Sequence, residues 1–258
     1  MFKGSIMKNI FVLILFLSCS IVFADSITTE NSHNYSMLKE KIIEVLSMLP
    51  IATLETVYMT FVSTFFACLL GFPLGVYLYV TSPVGLTPRR VLYNVLSRIV
   101  NIFRSLPFII LMILLIPLTR LIIKTSIGPT AVIIPLSIAA APFVARIAES
   151  ALSEVEQGVL TAARAMGSTN FQIIRKVLIP EAMPSLVSGL ALTIINLIGY
   201  SAMAGAIGGG GLGSLAINYG YYRFRIDVTI GAVIVILILV EMIQIIGTAI
   251  SRSLLSKR

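Results

Sequence analysis

Long uninterrupted apolar runs dominate the chain, at approximately 53–80, 99–123, 130–149, 184–207 and 228–250. None alternates apolar and polar residues with a period of two, so a transmembrane barrel is not expected. Each run approaches or exceeds the roughly 20 residues that a helix needs to cross about 30 Å of hydrocarbon. A helix also satisfies its own backbone in lipid, where water does not. The pattern therefore predicts an all-α membrane protein with five transmembrane helices. Gly71, Pro73, Gly75, Pro107, Pro117, Pro135 and Pro142 interrupt these runs, as membrane helices tolerate when neighbouring groups re-satisfy the backbone.

Ahead of the first run, Lys3 and Lys8 precede an apolar stretch, Ile10–Ala24, and small residues at Val22 and Ala24 suit a cleavage site. Residues 1–24 read as a signal peptide or an uncleaved signal anchor. A lipoprotein reading at Cys19 is weak, because Phe16-Leu17-Ser18 matches a lipobox poorly. Residues 25–50 are polar and then weakly amphipathic. Leu38, Ile42, Val45, Leu46 and Leu49 have helical spacing, which predicts a short helix at the outer interface. Residues 51–258 are expected to form the transmembrane domain.

Composition narrows the class. The 258 residues are 57% apolar and 12% charged, with a mean hydropathy of +1.00; soluble domains run about 25% charged. A soluble enzyme is excluded. His33 is the only histidine, so a His-rich metal site is also excluded. Cys19 and Cys68 lack metal-ligand spacing and read as small apolar residues. The net charge of +8 points to cytoplasmic loops rather than nucleic acid. With 81–98, 150–183 and 251–258 inside, these segments hold Arg89, Arg90, Arg98, Arg164, Arg175, Lys176, Arg252, Lys257 and Arg258, and Arg104 and Arg146 lie at inner helix ends. The outside holds Lys39, Lys41, Arg120, Lys124, Arg223 and Arg225. The bias places the mature N-terminus outside and the C-terminus in the cytoplasm.

Residues 150–183 are longer than a connection requires. Leu152, Val155, Val159, Ala162, Ala163 and Met166 recur at helical intervals, opposite Glu154, Glu156, Gln157 and Arg164, which predicts an amphipathic helix. Gly167 can stop it. A second helix over Asn170–Leu178 is expected to end before Pro180. Within this segment, Thr161-Ala162-Ala163-Arg164-Ala165-Met166-Gly167, nine residues, and Val177-Leu178-Ile179-Pro180 resemble the EAA loop of ABC-importer permeases. Thr161 stands where that pattern carries glutamate.

Further matches are similar to the methionine-importer permease subfamily: Met59–Ser63, Asn101–Ile110, Thr125–Gly128, Ala141-Pro142-Phe143 and Gly199–Met203. The resemblance covers about 51–256 and implies a type I importer permease in the bacterial inner membrane. It further implies a homodimer, an ABC ATPase dimer bound at the loop, and an extracytoplasmic methionine-binding protein. Glu154, Thr161, Ala162, Ala163, Met166, Gly167 and Pro180 would couple to the ATPase. Tyr200, Ser201 and Met203 would line the path, with Met203 a gate at the dimer axis. Small residues at Ala162, Ala163 and Gly167 would permit close approach.

No phosphate-binding G-x-x-x-x-G-K-[ST] motif occurs, so ATP and Mg are expected on the partner ATPase, with no cofactor in this chain. Gly208, Gly210 and Gly213 fit G-x-G-x-x-G without a βαβ context, and read as flexible backbone at the outer mouth or a re-entrant turn. Asn196 suits a helix–helix hydrogen bond more than a ligand contact, and Arg146 with Glu149 a local ion pair or interfacial anchoring. Glu241, inside the last run, reads as a proton-coupling carboxylate, as a protonated one, or as one met by a polar partner. Two alternatives stay open: a permease of this type for another amino acid or small solute, and an ion-coupled secondary transporter, which would need intramembrane charge pairs or repeats.

Overall fold

The computed structural model describes residues 32–256, and of 32–38 the backbone alone. The signal-like segment 1–24 therefore lies outside the described residues, as do Lys257 and Arg258. Among the described residues the regular structure is entirely helical. The chain divides into two compact units, Met1–Ser47 and Met48–Arg258. In the first, the described residues are helical, with Ile42, Ile43 and Leu46 exposed.

Helix α1 spans Ser32–Thr81, with Pro50 and Pro73 inside it. It is followed by α2, Arg90–Ser105, and α3, Phe108–Ile123. Then come α4, Pro129–Ser153, and a short α5, Gln157–Ala165. Helix α6, Asn170–Ile173, runs through a wider π-helical turn at Ile174–Leu178 into α7, Ile179–Gly205. A short α8, Gly211–Leu215, and another π-helical turn, Ala216–Tyr221, lead to α9, Ile226–Leu255.

Among the described residues, four helical stretches are long and apolar enough to span a membrane: Lys39–Thr81, Pro129–Ser153, Asn170–Gly205 and Ile226–Leu255. A fifth span forms if α2 and α3 count together. The 99–123 run is thus not the straight helix its apolarity predicts. It breaks at Leu106-Pro107 with a bend of 102°. Proline biases the residue before it away from the helical region, and Leu106 is extended at φ −75°, ψ 129°.

Pro180 likewise does not end its helix. Proline cannot donate to the carbonyl four residues back. The π-helical turn widens the backbone ahead of it, with Ile179 N–H reaching Ile174 O, and the helix continues to Gly205.

The core is a layer shared by α1, α3, α4 and α7. Met59, Phe108, Met112, Val132, Leu136 and Leu197 meet there. Helices α1 and α4 pack very closely. A Cβ on Gly71 would lie 2.4 Å from Ala141 O, and one on Gly75 2.5 Å from Ala145 O. This four-residue glycine spacing lets two backbones approach without side chains between them.

A second core underlies the predicted cytoplasmic end. Tyr79 and Leu86 meet Leu152, Leu160, Ala163, Ile173 and Leu178. Between the two cores, Arg146 on α4 reaches α2. Its guanidinium donates to Ser97 O at 3.1 Å, to Ser97 Oγ and to Asn101 Oδ1 at 2.9 Å. It also pairs with Glu149 at 2.6 Å. The expected local ion pair is therefore part of a four-residue staple joining two helices.

Candidate coupling surface and transport path

Helix α5 is a small bracket clamped onto the second core. Leu160 and Ala163 point inward and are buried, with Val155 just before the helix. Two polar contacts fix it to the loop after α1: Arg164 donates to Leu86 O at 3.0 Å, and Gln157 Nε2 to Val84 O at 3.5 Å. Its C-terminus is closed by a Schellman motif. Ser168 N–H reaches Ala163 O at 3.2 Å, and Gly167 N–H reaches Arg164 O at 2.9 Å. Gly167 has φ +76°, a conformation glycine adopts without penalty. A reciprocal capping box opens α6: Thr169 N–H donates to Gln172 Oε1 at 2.8 Å, and Gln172 N–H to Thr169 Oγ1 at 3.4 Å.

The apolar stripe read from the sequence divides in two. Leu152 ends α4 and is buried with Val155 and Ala163, whereas Val159, Ala162 and Met166 are exposed. Met166 is 78% exposed. The break at Glu154–Glu156 rotates the following helix, so one continuous spacing serves two faces. The outer face of α5 thus carries Val159, Thr161, Ala162 and Met166.

The Thr161 hydroxyl turns back to Gln157 O at 2.9 Å, so it adds no charge where the family pattern carries a carboxylate. Glu154 is exposed and accepts a hydrogen bond from Ser185 Oγ on α7 at 2.5 Å. Pro180 is exposed at the start of α7.

At the other end of α7, Ser201 is buried and donates to Ile198 O at 2.8 Å. Tyr200 stacks on Phe108, with ring centroids 4.8 Å apart and planes 4° apart. Met203 is 47% exposed. Leu192, Asn196, Gly199, Met203 and Ala206 are all exposed at alternating four- and three-residue intervals. That spacing is one face of a helix.

The glycine-rich stretch after α7 is held rather than loose. Gly211 N–H donates to Glu55 Oε2 at 2.6 Å, and Leu212 N–H to Thr56 Oγ1 at 2.9 Å. Gly128 N–H donates to Gly208 O at 2.9 Å. The G-x-G-x-x-G spacing here reflects positive φ at Gly208 and Gly210 and a close crossing of Gly213 against Ala202, not a nucleotide cradle.

Glu241 lies on an exposed part of α9 and is engaged by another group. No cluster of metal-binding side chains occurs among the described residues.

Residues 69–257 match the family described as binding-protein-dependent transport system inner membrane component. The chain belongs to this family. It is 49% identical over 201 residues to the probable D-methionine transport system permease protein of Vibrio cholerae serotype O1, covering 78% of this chain and 89% of that one. It is 56% identical over 151 residues to the D-methionine transport system permease protein of Escherichia coli K12, covering 58% and 70%.

Among solved structures, the MetNI methionine ABC transporter in an inward-facing conformation matches with a TM-score of 0.79 and 48% identity. The match covers 83% of this chain and 98% of that one. An amino acid ABC transporter crystallised with histidines matches with a TM-score of 0.66 and 22% identity, over 85% and 97% of the chains. That likeness is one of fold.

As an inner-membrane component of such a transport system, this permease is a multi-pass membrane protein. Sequence reasoning reached α5 and its glycine stop. It missed the Glu55–Thr56 clasp, because those partners lie 156 residues apart, and it missed the Arg146 staple to α2. A signal for the close α1–α4 packing was present in Gly71-x-x-x-Gly75.

Proposed function

We propose that this permease is the membrane-spanning subunit of an ATP-driven methionine importer. It works as a homodimer with an ABC ATPase dimer and an extracytoplasmic methionine-binding protein. The observation that carries the reading is the outer face of α5. Val159, Ala162 and Met166 form an exposed apolar stripe on a helix whose other face is locked into the core. A helix braced in this way transmits a push to α1, α4 and α7 instead of yielding.

In the proposed mechanism, the stripe, with Thr161 beside it, docks in a cleft of the ATPase. Ala163 acts from the buried side by letting α5 sit close to Leu152 and Ile173. Gly167 sets where the helix ends, and Glu154 ties the bracket's base to α7 through Ser185. Pro180 follows the π-helical turn that links the bracket to α7.

ATP and Mg bind the partner subunit, and this chain has no ATPase site of its own. ATPase closure draws the two α5 helices together and opens the path outward; hydrolysis resets it inward. Each state is favoured only as far as the partners bind it better than the other. The exposed stripe on α7 carries Met203, which gates the dimer axis beside Tyr200 and Ser201.

In this reading the mature N-terminus and residues 25–50 lie outside and the C-terminus is cytoplasmic. Residues 1–24 are a targeting or anchoring segment, and residues 51–258 are the permease domain.

The test is copurification of the tagged chain with its chromosomally encoded partners, followed by mass spectrometry and uptake of labelled methionine into proteoliposomes. Recovery of an ATPase and a methionine-binding protein, with ATP-dependent uptake, is the expected outcome. Recovery of no ATPase from mildly solubilised membranes would reject the reading.

A further inference from the structure

A cavity of about 200 Å³ opens beside the break between α2 and α3. Its walls include Arg104, Asn196, Tyr200, Phe103, Phe108 and Phe143. Two other cavities in the transmembrane part, one around Phe72 and Leu186 and one around Tyr58 and Phe66, are lined almost wholly by apolar side chains. This one differs in three respects.

First, the Arg104 guanidinium sits 6.0 Å from the Phe143 ring centroid and has no carboxylate partner among the described residues. Second, Asn196 and Tyr200 also line it, and neither side chain makes a hydrogen bond among the described residues. Polar groups in a membrane protein that lack protein partners face water, a ligand or another subunit. Third, Leu106 and Phe108 place both sides of the helix break in the wall. A broken helix offers free carbonyls from its first half and free N–H groups from its second. Such ends suit cations and anions respectively.

We propose that this cavity is a staging site for the zwitterionic head of a free amino acid during passage. Arg104 receives the carboxylate, since a guanidinium matches its two oxygens. The aromatic rings of Phe103 and Tyr200 and the carbonyl end of α2 receive the ammonium. Asn196 lies on the same α7 face as Met203, so the site adjoins the proposed gate. The inference rests on the importer reading and adds to it a place where the cargo rests inside the membrane.

The test uses the assembled permease–ATPase complex carrying Asn196→Cys with Cys19 and Cys68 replaced by serine. The rate of labelling at position 196 by a charged thiol reagent is measured with and without millimolar L-methionine. Methionine is expected to slow labelling, and adding Arg104→Gln to weaken that protection about tenfold, the size of one charge-assisted hydrogen bond. Arg104→Lys keeps the charge without the two-pronged fit and should recover only part of it.

Absence of protection, or protection that survives Arg104→Gln, would overturn the proposal. Uptake by the unmutated complex separates the two readings. If it ignores methionine but imports another amino acid, the cargo assignment fails, and the same labelling experiment with that amino acid decides the site.

Discussion

The Glu55 carboxylate accepts the Gly211 N–H at 2.6 Å, tying α1 to a glycine turn 156 residues later. Beside it, the Thr56 hydroxyl donates to Ala52 O at 3.0 Å and accepts from Leu212 N–H at 2.9 Å. These two side chains satisfy the first free amides of α8, which its own backbone leaves without acceptors. An acidic side chain there also complements the positive end of a helix.

Thr56→Val keeps the shape of the side chain and removes the acceptor. The Leu212 amide is then buried without a partner, which costs about 1–3 kcal/mol. A lowered thermal unfolding midpoint of the detergent-solubilised permease is the expected result. Gly211→Ala should act in the same direction for a different reason. Its φ is +74°, and a Cβ would lie 2.6 Å from Thr56 Oγ1 and 2.8 Å from Met59 Cε. An unchanged midpoint in both variants would show that the clasp carries no stability.

Arg146 is the hub between α2 and α4, and its side chain is 19% exposed against 10% for Glu149. Arg146→Ala removes the donors to Ser97 and Asn101 and leaves the Glu149 carboxylate without its counter-charge. Breaking a buried pair from one side costs about 3–5 kcal/mol, whereas the intact pair contributes far less. Arg146→Ala should therefore reduce the yield of folded permease sharply in fluorescence-detected size exclusion, and adding Glu149→Gln should restore part of it. Failure of the second substitution to help would place the loss in the α2 contacts alone.

How much of this was legible in the sequence varies by scale. Apolar runs located the spans, because lipid leaves a helix little alternative. The run at 99–123 misled, since hydropathy does not register that Pro107 forces Leu106 out of helical geometry. Pro180 misled in the opposite sense: a π-helical turn absorbed it. The α5 stripe was read correctly as helical, but spacing alone could not show that Leu152 and Val159 lie on opposite sides of a break. The clasp at Glu55 and the staple at Arg146 depend on tertiary contacts, for which single residues leave no local signature.

Met203 projects from the exposed face of α7, while its neighbour Ser201 is buried and bonded to its own helix. If the methionine side chain closes the dimer axis, Met203→Ala opens a leak without altering the fold. Efflux of a small solute from proteoliposomes holding the assembled transporter should rise without ATP, while the unfolding midpoint stays put. Met203→Leu, of similar volume, should remain tight. Equal leak in wild type and Met203→Ala would remove the gate from the mechanism.

Ala162 and Ala163 are adjacent in sequence and opposite in environment, which gives a clean contrast. Ala162 faces outward, so Ala162→Phe leaves the permease folded but holds an ATPase away from α5. Ala163 is 2% exposed among Leu152, Leu160 and Ile173. Ala163→Phe overpacks that cluster and should cost about 1–3 kcal/mol of permease stability. The expected readout is a split between two measurements. Ala162→Phe retains its unfolding midpoint but loses coupling of ATP hydrolysis to uptake, while Ala163→Phe lowers the midpoint before any ATPase is added. The substitution at Ala162 tests the docking face itself. Full coupling in Ala162→Phe would mean that the ATPase contacts another part of the loop, and Phe171, 69% exposed on the neighbouring turn, would be the next residue to change.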